Sequence, residues 1–593
     1  MPDGPVHPSM TVMNHMLNRQ SRESRTYPGW KILNGALMLL IAALIVSIVI
    51  LSSVPPVSRD ALSHHLAVPK LYIMNGGIYE TPHVVFSYYP MNIELLYLIP
   101  LYFGNDIAPK YIHFAFALLT AWLIFNYLYR RLDLFYALLG ALFFLSLPLI
   151  VKLSISVYVD LGLIFFSTAS ILSILKWIES RFKLRHLVIS ACWCGLALGT
   201  KYNGLVVLFL LALVVPFIYV RKHPGERLNQ AKAAGHAVMF ISVALLIFSP
   251  WMIRNYQWKQ NPVYPLYHGW FSNLKTIIPA VTSSGGDSNN GNADVVLKTG
   301  IPQSRGRIGL FGYRQIIYNE SWWEIALVPL RIFFTGKDGD PQYFDGKLNP
   351  FLLLLPLFAF IRFPEGRSVY ETEKWIWLLF SLLFLFITFF KIEMRIRYVV
   401  PIIPPMTILS MMGLRRIHAM VLSRYPAGYS FIPPAVVASV AGIMLLLNTG
   451  YILQQFREVQ PINYLSGRVG RDAYIETYRK EYPAVQFANM NLPPTTKILS
   501  VFLGNRIYYS DRTMVSNPDV LFKLLRNSDS PQRISMGLRK SGLTHIMIRM
   551  DLFAGWVDNN FDEKKKELIR IFINENMKLI YYKNGYGLFE IEN

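Results

Sequence analysis

Charge and cysteine are both scarce in this chain. Only 16% of its 593 residues are Asp, Glu, Lys or Arg, against about 25% in an average soluble domain. A soluble chain of this length would divide into several domains, whose surfaces need more charge than that. The two cysteines, Cys192 and Cys194, exclude a disulfide scaffold and a Cys-built zinc site. They stand two positions apart in an apolar run, too close for an ordinary bridge. H-E-x-x-H, the P-loop, G-x-S-x-G and a well-placed G-x-G-x-x-G are also missing, which argues against ATP-driven transport and a lipase-type hydrolase. No nucleic-acid motif and no repeat of fixed period is seen. Acidic residues are the scarcer sign, 36 against 58 basic, a formal net charge of +22.

What is abundant is grease: 53% hydrophobic and 14% aromatic residues. This is the composition of a polytopic α-helical membrane protein. A helical span needs about 20 apolar residues. Runs approaching that length predict spans at Ile32–Val54, Tyr111–Tyr129, Leu134–Ile150, Leu161–Trp177, Leu187–Thr200, Gly204–Val220, His236–Trp251, Pro350–Ile361, Trp375–Phe390, Val399–Leu414 and Phe431–Ile452. Basic clusters at Arg130–Arg131, Lys176–Arg185, Arg221–Lys232, Arg362–Lys374 and Arg415–Arg424 fall in alternate loops. They place those loops, and the basic tail 1–31, in the cytoplasm. The sorting works with about 11 spans and requires Tyr89–Phe103, with Pro90, Glu94 and Pro100, to lie in the interface rather than cross it.

The predicted organisation is a cytoplasmic tail, a membrane domain over 32–454 and a small soluble α/β domain over 455–593 outside the cytoplasm. The membrane domain carries a first outer loop at 54–110, with helices expected at Ala61–Met74 and Tyr89–Phe103. A larger outer loop spans 254–349, and its segment 282–299, with SSGGDSNNGN, reads as flexible. In the tail, Lys497–Phe502 and His545–Met550 read as strands and Asp562–Asn576 as an amphipathic helix. Lys578–Glu592 reads as a hairpin turning at Asn584-Gly585.

Carboxylates at a membrane boundary are costly and are functional candidates by default. Asp60, in SRDALSHHLAVPK, and Asp160, in SVYVDLGLIFF, face one compartment in this topology. Three cations share that side: Lys201 after the helix end GLALGTKYNG, Arg254 in SPWMIRN and Arg397 in RIRYVVP. Together they suggest an acid-containing, anion-binding cavity at the bilayer surface, suited to a lipid-borne anionic head group. His64, Tyr202 and Tyr398 stand beside these residues as accessory candidates. A divalent metal needs three or four ligands. Asp60, His64 and Glu80 or His83 are the nearby donors, so metal dependence stays open.

The order and sidedness of these segments, with SPWMIRNYQWKQNPVYPLY and RIRYVVPIIPP, resemble the GT-C membrane glycosyltransferases over roughly Ile32–Ser410. The similarity is to the protein O-mannosyltransferase-like group, which includes the bacterial lipid A aminoarabinose transferases. It implies a polyprenyl-phosphate-linked sugar donor, a hydroxyl-bearing acceptor and a multi-pass protein of the bacterial inner membrane. It implies Asp60 as catalytic base, Asp160 as second acid, and Lys201 and Arg254 on the donor phosphate, with Arg397 as a further phosphate-side cation. The chain departs from the pattern where Ala61 follows Asp60 instead of a second acid, and where Tyr88-Tyr89-Pro90 replaces a Glu-Lys-Pro. A lipid-linked sugar flippase, or a ligase moving a whole polyprenyl-linked glycan, is the competing reading.

Overall fold

The computed structural model describes residues 28–225, 228–271, 310–361, 371–390, 394–424 and 432–592. The stretch 282–299, residues 1–27 and the basic cluster at 362–370 lie outside the described residues.

Helix α1 (Pro28–Ser52) is followed by a single π-turn (Ala61–His65), α2 (Ala67–Met74), a 3-10 turn (Val85–Tyr88) and α3 (Asn92–Tyr102). Then come α4 (Ala108–Arg131), α5 (Leu134–Ser146), α6 (Pro148–Ser154), α7 (Asp160–Glu179), α8 (Leu184–Leu198), α9 (Gly204–Lys222) and α10 (Asn229–Lys259). After the large loop follow α11 (Leu310–Tyr318), α12 (Trp322–Ala326), α13 (Val328–Arg331), α14 (Phe351–Phe358), α15 (Glu371–Phe389), α16 (Ile403–Arg424) and α17 (Ile432–Val459). The C-terminal part adds α18 (Pro461–Leu465), α19 (Arg471–Tyr478), α20 (Tyr482–Asn491), β1 (Lys497–Val501), β2 (Thr513–Val515), α21 (Asp519–Asn527) and α22 (Pro531–Lys540). It ends with β3 (His545–Arg549), α23 (Met550–Asn560), α24 (Glu563–Glu575), β4 (Met577–Lys583) and β5 (Tyr586–Ile591).

Every apolar run read from the sequence is helical in some part, but the helices are not equal. Among the described residues six are long and apolar enough to cross a membrane, or seven if α5 and α6 form one broken span. The run expected as one span at Leu134–Ile150 bends by 63°. Leu147 is extended (φ −54°, ψ 134°), because Pro148 disfavours the helical conformation in the residue before it. The span expected at Pro350–Ile361 is a helix of 8 residues interrupted by Pro356. At 1.5 Å per residue it is too short to cross a core of about 30 Å.

The chain forms two compact units: Met1–Val49, Phe116–Lys152 and Leu310–Glu458 in one; Ile50–Ala115, Leu153–Gly309 and Val459–Asn593 in the other. In the first, α16 packs against α14 and α5. Asn448 there accepts from Asn349 at 2.8 Å and donates to Ser146 at 2.9 Å, so the buried amides satisfy each other. Lys152 lies between Asp338 (2.9 Å) and Asp345 (3.1 Å), and Tyr451 donates to Asp338 at 2.6 Å.

In the second unit α7 is buried over most of its length and packs against α8, which packs in turn against α10. The C-terminal sheet has strand order β2-β1-β3-β5-β4. Strands β1, β2 and β3 run parallel, while β5 pairs antiparallel with both β3 and β4. Alternation along the strands buries both faces, as parallel strands require. Leu499, Val501, Ile546 and Ile548 pack with Leu521, Leu538 and Phe572 of the helices on one face. Ile498, Met547 and Leu588 pack on the other with Ala484, Val485 and Ala488 of α20, and with Ala67 of α2. The expected hairpin and helix are present, α24 being capped by Asp562, whose carboxylate accepts from Lys565 N at 2.9 Å. Strand β2 and the parallel pairings were not among the sequence expectations.

Candidate active site

Asp160 opens α7, where the free N–H groups and dipole of a helix start favour a carboxylate. It is fully buried, and Lys201 Nζ donates to its Oδ1 at 2.6 Å. Lys201 is brought there because α8 ends at Gly199 and the chain turns tightly, with Lys201 N bonded to Ala197 O. His113 locks the start of α7. Its Nδ1 donates to Leu153 O (2.9 Å) and Ser156 O (3.1 Å), so its Nε2 accepts from Leu161 N at 3.0 Å.

Arg254 is nearly buried near the end of α10. Its guanidinium lies over the rings of Trp251 (4.5 Å) and Trp258 (4.9 Å), donates to Tyr89 O at 3.0 Å and bonds Asn255 Oδ1. Asn255 in turn donates to Tyr88 O (2.8 Å) and to Tyr202 OH (3.1 Å). The Tyr202 hydroxyl donates to Tyr264 O at 2.8 Å. The Tyr88-Tyr89-Pro90 stretch therefore serves through its backbone, as the seat of Arg254 and Asn255.

Asp60 precedes the π-turn, half-buried, with helical backbone angles (φ −69°, ψ −34°). The turn buries His64 and His65. His64 Nδ1 contacts Ser63 Oγ at 2.9 Å, and its ring stacks on Phe86 at 4.4 Å. His65 Nδ1 meets Glu94 Oε1 at 2.8 Å. Glu94 lies in the first turn of α3 and is 4% exposed. Burial pushes its carboxyl up to about 8, against the opposing pull of its own backbone N–H, Lys201 and Arg254. Asn92 fixes the start of α3. Its N–H donates to Gly199 O at 2.9 Å, and its Oδ1 accepts from Trp251 Nε1 at 2.8 Å.

The structure thus joins Asp160 to Lys201 directly, and puts Glu94 within electrostatic reach of Asp160, Lys201 and Arg254. Tyr202 joins Arg254 through Asn255. Arg397 and Tyr398 belong to the other compact unit, on a 3-10 turn (Ile396–Tyr398) whose Ile396 N bonds Phe344 O at 2.8 Å. Glu94, His65, His113 and Asn92 are absent from the residues expected to form the site. The available signal was that Glu94 is the lone acid in an otherwise apolar helix.

Among the described residues no group of three or more His, Cys, Asp or Glu is placed to hold a metal ion. Two of the donors proposed from the sequence have other partners. Glu80 accepts from Tyr88 OH (2.5 Å) and pairs with Lys259 (2.8 Å), and His64 bonds Ser63.

A sequence model of the dolichyl-phosphate-mannose-protein mannosyltransferase family matches residues 73–261. That stretch holds Glu94, Asp160, Lys201, Tyr202 and Arg254. ArnT from Cupriavidus metallidurans in the apo state superposes with TM-score 0.50 at 14% identity, over 94% of this chain and 98% of that one. The same protein bound to undecaprenyl phosphate gives TM-score 0.48, also at 14% identity and with the same coverage of both chains. AglB from Archaeoglobus fulgidus, in complex with an inhibitory peptide and a dolichol-phosphate, gives 0.46 at 12% identity over 87% and 70%. No curated protein matches the chain significantly. The chain is thus similar to the GT-C membrane glycosyltransferases in fold, and its segment 73–261 matches the protein mannosyltransferase family among them.

Proposed function

We propose that this protein is an inverting glycosyltransferase. It moves a sugar from a polyprenyl-phosphate-linked donor to a hydroxyl acceptor on the extracytoplasmic face of the membrane. The observation that carries the reading is the charge balance of the buried cluster. Asp160 and Lys201 compensate each other at 2.6 Å. Glu94, pushed up to about 8, is a neutral acid at pH 7. Of these four groups Arg254 is then the surplus cation, held between two tryptophans inside the segment that matches a family named for a lipid-phosphate-linked sugar. A phosphate leaving group needs such compensation as negative charge builds up on it, and a preorganised cation in a dry site supplies it.

In the proposed step the acceptor oxygen attacks the anomeric carbon and its proton passes to Asp60. The bond between that carbon and the phosphate oxygen breaks, and the electron pair leaves with the lipid phosphate. That phosphate is a weak base, so no general acid is needed, in contrast to glycoside hydrolysis. A single displacement inverts the anomeric centre. Asp160 holds Lys201 in place, and Arg397 is a further phosphate-side cation on its sequence setting alone.

The test is transfer by the purified full-length chain in liposomes, supplied with polyprenyl-phosphate sugars and hydroxyl acceptors and read as release of free polyprenyl phosphate. Asp60→Asn is expected to abolish release at unchanged expression and thermal stability. Turnover retained by that variant would remove Asp60 as the base.

A further inference from the structure

The connection between β1 and β2 in the C-terminal domain reaches out of that domain and grips the turn that follows Asp60. In α-helical register Leu66 N would bond Leu62 O, four residues back. Here it bonds Ala61 O at 2.9 Å, five back, which makes the turn a π-turn. The carbonyl it gives up is taken from outside: Leu62 O accepts Ile507 N at 3.1 Å and Tyr508 N at 3.0 Å. Two further ties lie on either side. Tyr509 OH donates to Pro56 O at 2.8 Å, before the turn. After it, Lys70 Nζ donates to Tyr508 O and Ser510 O at 2.9 Å each and to Asp511 Oδ1 at 2.8 Å.

The grip is anchored in its own domain. Asn489 of α20 donates to Tyr509 O at 2.9 Å and accepts from Asp511 N at 2.8 Å. Arg512 donates to Asn489 O and Leu492 O, and Arg506 pairs with the buried Glu481. Underneath, Ile507 and Leu503 share one apolar cluster with Ala67 of α2.

We propose that residues 504–512 form a clasp that selects the π register of the turn Ala61–His65. Lys70 and Tyr509 are then positioning residues for the reaction proposed above. A π-turn holds one residue more than an α-turn. Return to α register would re-aim His64 and His65 relative to Asp60 and pull His65 off Glu94. The C-terminal domain would in this way act on the chemistry without touching the substrate.

The experiment combines hydrogen exchange with transfer kinetics on the full-length chain in liposomes, and the functional part rests on the glycosyltransferase reading. The variants are Tyr508→Pro, which removes one clasp N–H, Lys70→Met, Tyr509→Phe and, as the conservative control, Lys70→Arg. Exchange at residues 61–66 is expected to rise about tenfold or more in the first three, while the β3 amides stay protected. Transfer kcat is expected to fall by about 10²-fold, as small misplacements do, with donor KM little changed, and Lys70→Arg is expected to recover most of it. If Tyr508→Pro fails to fold, as loss of β3 protection would show, the two side-chain variants decide. Unchanged exchange at 61–66 would overturn the clasp. Raised exchange with unchanged kcat would overturn the positioning role. Wild-type protein that transfers no sugar would overturn the glycosyltransferase reading, while the exchange data still decide the clasp.

Discussion

At the scale of single residues, Glu94 carries the sharpest consequence. A carboxyl that is 4% exposed loses most of its hydration, and its own backbone N–H, Lys201 and Arg254 do not restore the charged form: it is pushed up to about 8. Its folded value lies above the ordinary 4.5, so the native state binds more protons than the unfolded chain between those values. The stability this contributes is fully present below 4.5 and is lost as pH rises through about 8. Wild-type protein is therefore expected to lose stability relative to Glu94→Gln between pH 5 and 8, by up to about 1.4 kcal/mol per pH unit. Thermal unfolding in detergent across that range measures it, and parallel curves for the two proteins would show that Glu94 stays ionised. Asp160 and Lys201, which the structure joins, and Arg254 stood out in the sequence because charge is scarce there and each boundary charge is conspicuous. Glu94 was read only as a mark of an interfacial helix. Its pairing with His65 bridges 29 residues, and helical spacing does not report on that distance.

At the scale of elements, α3 owes its position to two glycines. A Cβ at Gly199 would lie 2.1 Å from Asn92 Nδ2, and one at Gly162 would lie 2.8 Å from Ile93 Cδ1. The helix that carries Glu94 thus rests directly on the start of α7 and the end of α8. Gly199→Ala is expected to drive Asn92 away from Gly199 O and Trp251, costing about 1–3 kcal/mol as overpacking does. Transfer is expected to fall with it. Gly235→Ala in α10, where nothing lies within 4 Å, is the matched control and should be neutral or mildly stabilising. Equal unfolding temperatures for the two variants would refute the close approach. The helix end at GLALGTKYNG was legible as a tight turn, and the segments after the first apolar run as helical. The π-turn and the 63° bend at Pro148 were not read from the sequence. The bend has a local cause in Pro148. The π-turn does not: the groups that occupy Leu62 O come from more than 400 residues downstream.

For the whole molecule, the sequence reading expects a greasy chain followed by a soluble tail on the side of the first outer loop. The structure adds that these two parts are bonded to each other, through Leu62, Lys70 and Asp106 with Arg471. If the chain crosses a bilayer as the sequence reading expects, the C-terminal part and the Asp60 turn, bonded to each other, lie on one side of it. On that reading α7, long and apolar enough to cross, carries the chain to the opposite side. Asp160 and Lys201 are bonded at one end of α7, and the loop with Lys183 lies at the other, 20 helical residues away. The cysteine scarcity makes this measurable, since replacing Cys192 and Cys194 by Ser leaves a chain without thiols. On that background Asp529→Cys, at an exposed position of the C-terminal domain, is expected to react with a membrane-impermeant maleimide in intact spheroplasts. Lys183→Cys, also exposed, is expected to react only after permeabilisation. The reverse pattern would put the acid and cation cluster on the cytoplasmic face and exclude an extracytoplasmic transfer. Labelling of both positions from outside would mean that α7 does not cross the bilayer, and the spans downstream of it would have to be reassigned.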